Sequence, residues 1–148
     1  MNPVEDPPAF RLFTEIGIIE QLARNRLERG LPDGLKVSQF GVLNHLVRLG
    51  DEWSPLQLAN AFQVTKGAMT NTLQRLEKRD LVRIVADPRD GRGKLVSITE
   101  AGRKMRARCV QCVGPLVADV SAELSDKELE MALPILEKVR RYLESHRS

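Results

Sequence analysis

The chain is poor in the residues that most chemistry requires. It holds two cysteines and two histidines, and aromatic residues fill 4% of its 148 positions. Two cysteines cannot build a disulfide framework, so a cytoplasmic location is the expectation. So few aromatics argue against a stacking platform for single-stranded nucleic acid. Apolar runs are only a few residues long, too short for a membrane-spanning helix. The start of the chain, with Glu5, Asp6, Pro7 and Pro8, lacks the basic and apolar regions of a secretory signal. Catalytic signatures are missing as well: no nucleophile elbow, Walker loop, HExxH, or GxGxxG after a strand. His45 and His146 stand beside Asn44 and Arg147, with no acid–base pairing in sequence. Neither an enzyme activity nor a metal or cofactor is expected.

What is present is enough for a folded domain. Hydrophobic residues at 42% and charged residues at 29% match a globular chain that buries a core, and residues 1–148 read as a single domain. The net charge of +3 is unevenly spread. Twelve Lys/Arg against five Asp/Glu lie between Val64 and Arg108, a local +7, and the rest of the chain carries −4. That asymmetry suits a polyanionic partner such as nucleic acid, although a solvated basic face that binds nothing is the plain alternative.

Periodicity and punctuation give the element order. Asp6 followed by Pro7 and Pro8 reads as an N-cap with prolines in the first turn, and Phe13, Ile16, Ile19, Ala23 and Leu27 recur at helical spacing until Gly30 closes the helix. After the turn Pro32-Asp33-Gly34, Ser38 is the expected cap of a second helix, with Phe40, Leu43, Leu46 and Val47 inward and Gly50 at its end. Ser54-Pro55-Leu56-Gln57 is a capping box that opens a short third helix ending near Phe62. Thr65 caps a fourth almost at once, so the pair must turn sharply, as in a helix-turn-helix. From Leu81 the period becomes alternating: strands around Val82–Ile84 and Val96–Ile98 flank a connector, Asp87 to Gly93, with Pro88, Gly91 and Gly93 suited to a flexible hairpin tip. Thr99 caps a long helix with Met105, Cys109, Cys112, Leu116 and Val120 along one stripe. Ser125 caps a last one with Leu129, Leu133, Leu136, Val139 and Leu143 inward. Kinks are expected at Pro115 and Pro134.

The expected fold is therefore mainly α with a small β-hairpin wing: a winged helix-turn-helix lobe over residues 37–99 and a helical dimerisation region over 7–30 and 100–146. In the fourth helix Met69, Leu73 and Leu76 face inward. The outer side offers Thr65, Lys66, Gly67, Ala68, Thr70, Asn71, Gln74 and Arg75. Small residues let a helix sink into the DNA major groove, where Asn and Gln bond adenine edges and Lys or Arg reach guanine or phosphate. An ordinary amphipathic surface helix would show the same division of faces. The hairpin tips the balance, because Arg89, Arg92 and Lys94 crowd a Gly-rich tip that no apolar residue anchors.

These residues carry a resemblance. Leu58-Ala59, Val64-Thr65-Lys66 and the run Leu73 to Arg83 resemble the recognition unit of MarR-type regulators. Asp87-Pro88-Arg89-Asp90-Gly91-Arg92, Lys94-Leu95-Val96, Ile98-Thr99 and Gly102 resemble that family's wing. The middle third matches specifically, and the flanking helices match in order and length. The resemblance implies a homodimer whose first and last two helices interlock. It also implies a pseudo-palindromic double-stranded DNA operator and repression that a small-molecule ligand, of unspecified identity, or oxidation releases. It makes Arg92 the wing-tip arginine directed to the minor groove and Asp90 the acid that fixes the wing by pairing with a nearby arginine. Two positions depart from the family: Asp80 replaces the usual glycine after the recognition helix, and Gln63 stands where a small residue or glycine is common.

Cys109 and Cys112 form a CxxC that puts both thiols on one helix face, which a metal or redox role would use. Both also fall on the apolar stripe of their helix, where cysteine acts as a small hydrophobe, and packing is the expected role. Nearby Arg106 and Arg108 would lower a thiol pKa only if the sulfur were exposed. Two other functions stand beside DNA binding: a winged-helix module that binds protein, which would want an apolar recognition face, and a thiol sensor built on this pair. Trp53, just before a cap, reads as a packed hinge residue.

Overall fold

Caps decide where most of these helices begin. The computed structural model describes residues 5–147, so the two ends of the 1–148 span, residues 1–4 and 148, lie outside the described residues. The elements run α1 (Pro8–Gly30), a 3-10 turn (Pro32–Gly34), α2 (Val37–Leu49), α3 (Pro55–Phe62), α4 (Lys66–Lys78), β1 (Val82–Asp87), β2 (Asp90–Ile98), α5 (Glu100–Glu123) and α6 (Asp126–Ser145). At α3 the Gln57 N–H donates to Ser54 Oγ at 3.1 Å and the Ser54 N–H to Gln57 Oε1 at 2.9 Å. Ser125 and Glu128 repeat that reciprocal pair at α6. Thr65 Oγ1 accepts the Ala68 N–H at α4, and Thr99 Oγ1 the Gly102 N–H at α5. Each such cap contributes about 1 kcal/mol.

Two helix starts differ from the sequence expectation. Asp6 does not cap α1; Pro7 is the cap residue, because a residue before proline is driven out of the helical region and the helix can begin only at Pro8. Ser38 does not cap α2, which begins at Val37 with Lys36 as its cap residue. Gln39 Oε1 reaches back to the Lys36 N–H at 3.0 Å and supplies the partner that moves the start forward. Gly30 is the last residue of α1, and Leu31, in an extended conformation, ends it.

The core gathers α2, α3 and α4 under the hairpin. Leu43, Leu46, Leu58, Leu73 and Leu76 are fully buried, joined by Val82 and Val96 from the strands and by Met105 and Cys109 from the first half of α5. A fully buried leucine is worth about 1.5–3 kcal/mol, so this cluster dominates the lobe's stability. The strands are antiparallel, with Val82 opposite Ile98 and Ile84 opposite Val96. Trp53 adds a short third edge through a bridge to Val96, whose N–H donates to the Trp53 carbonyl at 2.8 Å.

The wing is tighter than the sequence suggests. The connector is not the whole Asp87–Gly93 segment but only Pro88 and Arg89, and Gly91 and Gly93 lie within β2. Asp87 Oδ1 accepts the Arg89 N–H at 2.9 Å and Asp90 Oδ1 the Arg92 N–H at 3.1 Å, two side-chain-closed turns that let pairing resume at once.

The chain divides into two compact units at Val113. The second unit, from Gly114, comprises the end of α5 and α6, and none of its described residues is fully buried. Pro115 and Pro134 both lie inside unbroken helices.

Candidate nucleic-acid interface

Helix α4 presents two faces, and the division follows from its sequence spacing. Met69, Leu73 and Leu76 are held in the core, while Lys66, Gly67, Ala68, Thr70, Asn71, Gln74 and Arg75 are all exposed, as is the cap residue Thr65. Thr65 caps the helix through its hydroxyl, but among the described residues the side chains of Lys66, Thr70, Asn71, Gln74 and Arg75 make no hydrogen bond or ion pair within the fold. The sharp turn before α4 is made by Gln63 in a left-handed conformation (φ 53°), with its N–H bonded to the α3 carbonyls of Ala59 and Asn60. After α4, Asp80 is left-handed too (φ 59°), and its carbonyl accepts the Thr99 hydroxyl at 2.6 Å. Both departures are thus accommodated by backbone that Asp tolerates and Gln adopts at some cost.

Lys66, Thr70 and Gln74 of α4 line one groove of about 620 Å³ with Arg92 and Lys94 of β2. Gly67, Ala68, Asn71, Arg75 and Arg89 are exposed outside it. Glu77 also lines the groove, and its Oε2 accepts the Ile84 N–H at 3.2 Å, joining the helix to β1. Asp90 meets Arg92 through the Arg92 backbone N–H rather than through a guanidinium, so the expected arginine ion pair of the wing acid is replaced by a local turn. The acid that does meet a wing guanidinium is Asp87, 3.6 Å from Arg89 Nε.

The structure sorts the basic stretch. Arg79 donates to the Asp33 carbonyl at 3.2 Å and Arg108 to the Asp33 carboxylate at 2.8 Å. Arg103 pairs with Asp51 at 3.6 Å, and Arg106 donates twice to Asn44 Oδ1. With Arg89, five of the twelve cations are engaged internally. Among the described residues Lys66, Arg75, Lys78, Arg83, Arg92, Lys94 and Lys104 have no side-chain partner. Lys78, Arg83 and Lys104 lie outside the expected site set. For Lys78 the signal was present, since helical spacing puts it on the outer face with Gln74.

Cys109, Cys112 and His45 lie outside this groove. Cys109 is buried and its thiol is pushed up to about 11, chiefly by loss of solvent and then by Cys112, so Arg108 does not activate it. Cys112 is half-buried. Among the described residues no group of three His, Cys, Asp or Glu side chains could hold a metal, and no helix is long and apolar enough to cross a membrane. His45 is packed edge-on against Trp53, with ring centroids 4.4 Å apart, and burial lowers its pKa.

Comparison with known proteins meets this geometry. The MarR family profile matches residues 33–93, which span α2, α3, α4 and most of the hairpin. The multiple antibiotic resistance protein MarR of Escherichia coli is 31% identical over 137 residues, covering 86% of this chain and 94% of that one. The transcriptional activatory protein BadR of Rhodopseudomonas palustris is 27% identical over 139 residues, 89% of this chain and 78% of its own. A mutant Escherichia coli MarR crystallised in complex with operator DNA superposes with a TM-score of 0.76 at 29% identity, over 87% of this chain and 93% of that one.

Proposed function

Because the chain belongs to the MarR family of winged helix-turn-helix, DNA-binding transcriptional regulators, which are not enzymes, we propose that it binds a pseudo-palindromic double-stranded operator as a homodimer and represses transcription until a small-molecule ligand releases it. The observation that carries the DNA reading is the shared groove. Lys66, Thr70 and Gln74 line it together with Arg92 and Lys94, and none of the five has a side-chain partner among the described residues. Asn71 and Gln74 are the base readers, Lys66 and Arg75 reach guanine or phosphate, and Thr65, Gly67, Ala68 and Thr70 let α4 approach the major groove closely. Arg92 enters the minor groove, Arg89 and Lys94 hold phosphates beside it, and Asp90 keeps the wing in shape. Such a protein works in the cytoplasm, where the operator is.

The dimer reading rests on apolar surface. Phe10, Phe13, Ile19 and Leu22 of α1 and Met131, Leu133, Ile135 and Leu143 of α6 are exposed in the single chain, a load that isolated soluble domains rarely leave uncovered. Sedimentation should give a species near twice 16.6 kDa. Repression and ligand release follow from the family resemblance. The relative named an activatory protein makes a reporter assay the test of sign.

Selection of bound fragments from a random double-stranded DNA pool at stated salt tests the central reading. Enrichment of a palindrome with two half-sites is expected, and a pool that stays random would contradict it.

A further inference from the structure

The turn between α1 and α2 lies outside the groove, yet one of its residues is tied to two distant elements at once. Asp33 adopts a left-handed conformation (φ 55°, ψ 31°), followed by Gly34 with φ 69°. Two left-handed residues in succession point the Asp33 carbonyl and carboxylate in different directions. The carbonyl accepts from Arg79 Nη2 at 3.2 Å, and Arg79 is the C-cap residue of α4. The carboxylate accepts two bonds from Arg108 of α5, at 2.8 and 3.4 Å, a forked geometry with direction as well as charge. The hydrogen bond and charge of Arg108, and more weakly the charge of Arg79, hold the Asp33 carboxyl below its ordinary range.

We propose that Asp33 is a positioning residue for DNA recognition, clasping Arg108 of α5 and Arg79 at the end of α4 so that the recognition helix keeps a fixed setting. The inference rests on α4 being the DNA-reading helix. Arg79 and Arg108 are then removed from the DNA-binding charge of the basic stretch. Their guanidiniums serve the clasp, while the unpartnered cations meet the phosphates. Asp is suited to the turn because it tolerates the left-handed region and supplies a carboxylate there, two needs that glycine or glutamate alone would not both meet.

The decisive variant is Asp33→Asn, which keeps the left-handed backbone and the carbonyl but removes the charge. In the free protein, amide exchange in the last turn of α4 and at Asp80 and Leu81 should speed up, with the global unfolding midpoint nearly unchanged. Affinity for the selected operator should fall about fivefold. Arg108→Gln should give the same changes, the double variant no further loss, and Arg108→Lys partial recovery. Unchanged exchange in α4 for both single variants would overturn the proposal. So would tighter DNA binding by Asp33→Asn, since that would mean Arg108 was a held-back phosphate contact. Faster exchange in a protein whose parent enriches no DNA sequence would leave the clasp standing and sink the DNA reading instead.

Discussion

Glu77, on the recognition helix, accepts the backbone N–H of Ile84 at 3.2 Å and so ties α4 to the first strand of the wing. An acid lining a basic groove is unfavourable for phosphate, so its place is explained by the anchoring. Glu77→Gln keeps an acceptor and should preserve operator binding. Glu77→Ala should cost about 1 kcal/mol of stability and weaken operator binding through a looser wing. Titration of the two variants beside the parent checks this; equal binding by Glu77→Ala would detach the wing from Glu77.

Gly102 and Gly67 make opposite predictions. A methyl at Gly102 would collide with the Leu81 carbonyl and with Ile98 Cγ1, where the start of α5 crosses the strands. Gly102→Ala should destabilise by about 1–3 kcal/mol in chemical denaturation. Gly67 has nothing within 4 Å, so Gly67→Ala should raise stability by up to about 1 kcal/mol. If α4 enters the groove closely, the same added methyl should lower operator affinity. A Gly67→Ala protein that gains stability and binds DNA as before would place Gly67 outside the interface.

Much of this was legible in the sequence because caps and apolar spacing are local signals. Ser54, Thr65, Thr99 and Ser125 mark helix starts, and the Met69–Leu73–Leu76 stripe marks the buried face of α4. The misses came from non-local or competing effects. Pro8 forbids a helical Pro7 and so displaces the cap from Asp6, and the Asp87 and Asp90 side chains close a two-residue turn that composition alone spreads over seven. Which cations of the basic stretch pair inside the fold was not legible. Arg103 and Arg106 find Asp51 and Asn44 across long sequence separations, and nothing local announces those partners.

Cys109 should behave as core. Its folded thiol titrates near 11 against 9.0 for the free group, so the unfolded chain loses that proton first. The stabilisation is complete below about pH 9 and is lost as pH rises toward 11. Native protein should label slowly with a thiol reagent at neutral pH, and Cys109→Ala should cost about 1–2 kcal/mol. Rapid labelling at Cys109, or loss of DNA binding on mild oxidation, would restore the thiol-sensor reading.

His45 carries the opposite sign. Burial first, and Arg48 second, lower its pKa from 6.5, and among the described residues its buried Nε2, beside Trp53 and Phe62, has no hydrogen-bond partner. Its contribution to stability is present above about pH 6.5 and is lost as the pH falls through the depressed folded value. Denaturation curves of His45→Phe and the parent should therefore diverge in slope below that pH, the parent losing stability faster. Parallel pH profiles would show that the imidazole is neutral to the fold.

The most direct test separates base reading from backbone clamping on the same protein. Asn71→Ala and Gln74→Ala remove exposed side chains that the fold does not use, and each should cost about 1–3 kcal/mol on the selected operator while leaving random DNA nearly unaffected. Arg92→Ala should weaken both DNAs together and flatten the salt dependence by about one phosphate contact per chain. Asp90→Ala should mimic part of that loss, because it releases the Arg92 turn. The measurement is a titration of each variant against both DNAs at several salt concentrations. The account predicts operator-only losses for α4 and shared, salt-sensitive losses for the wing; variants of Asn71, Gln74 and Arg92 that all bind the operator like the parent would contradict it.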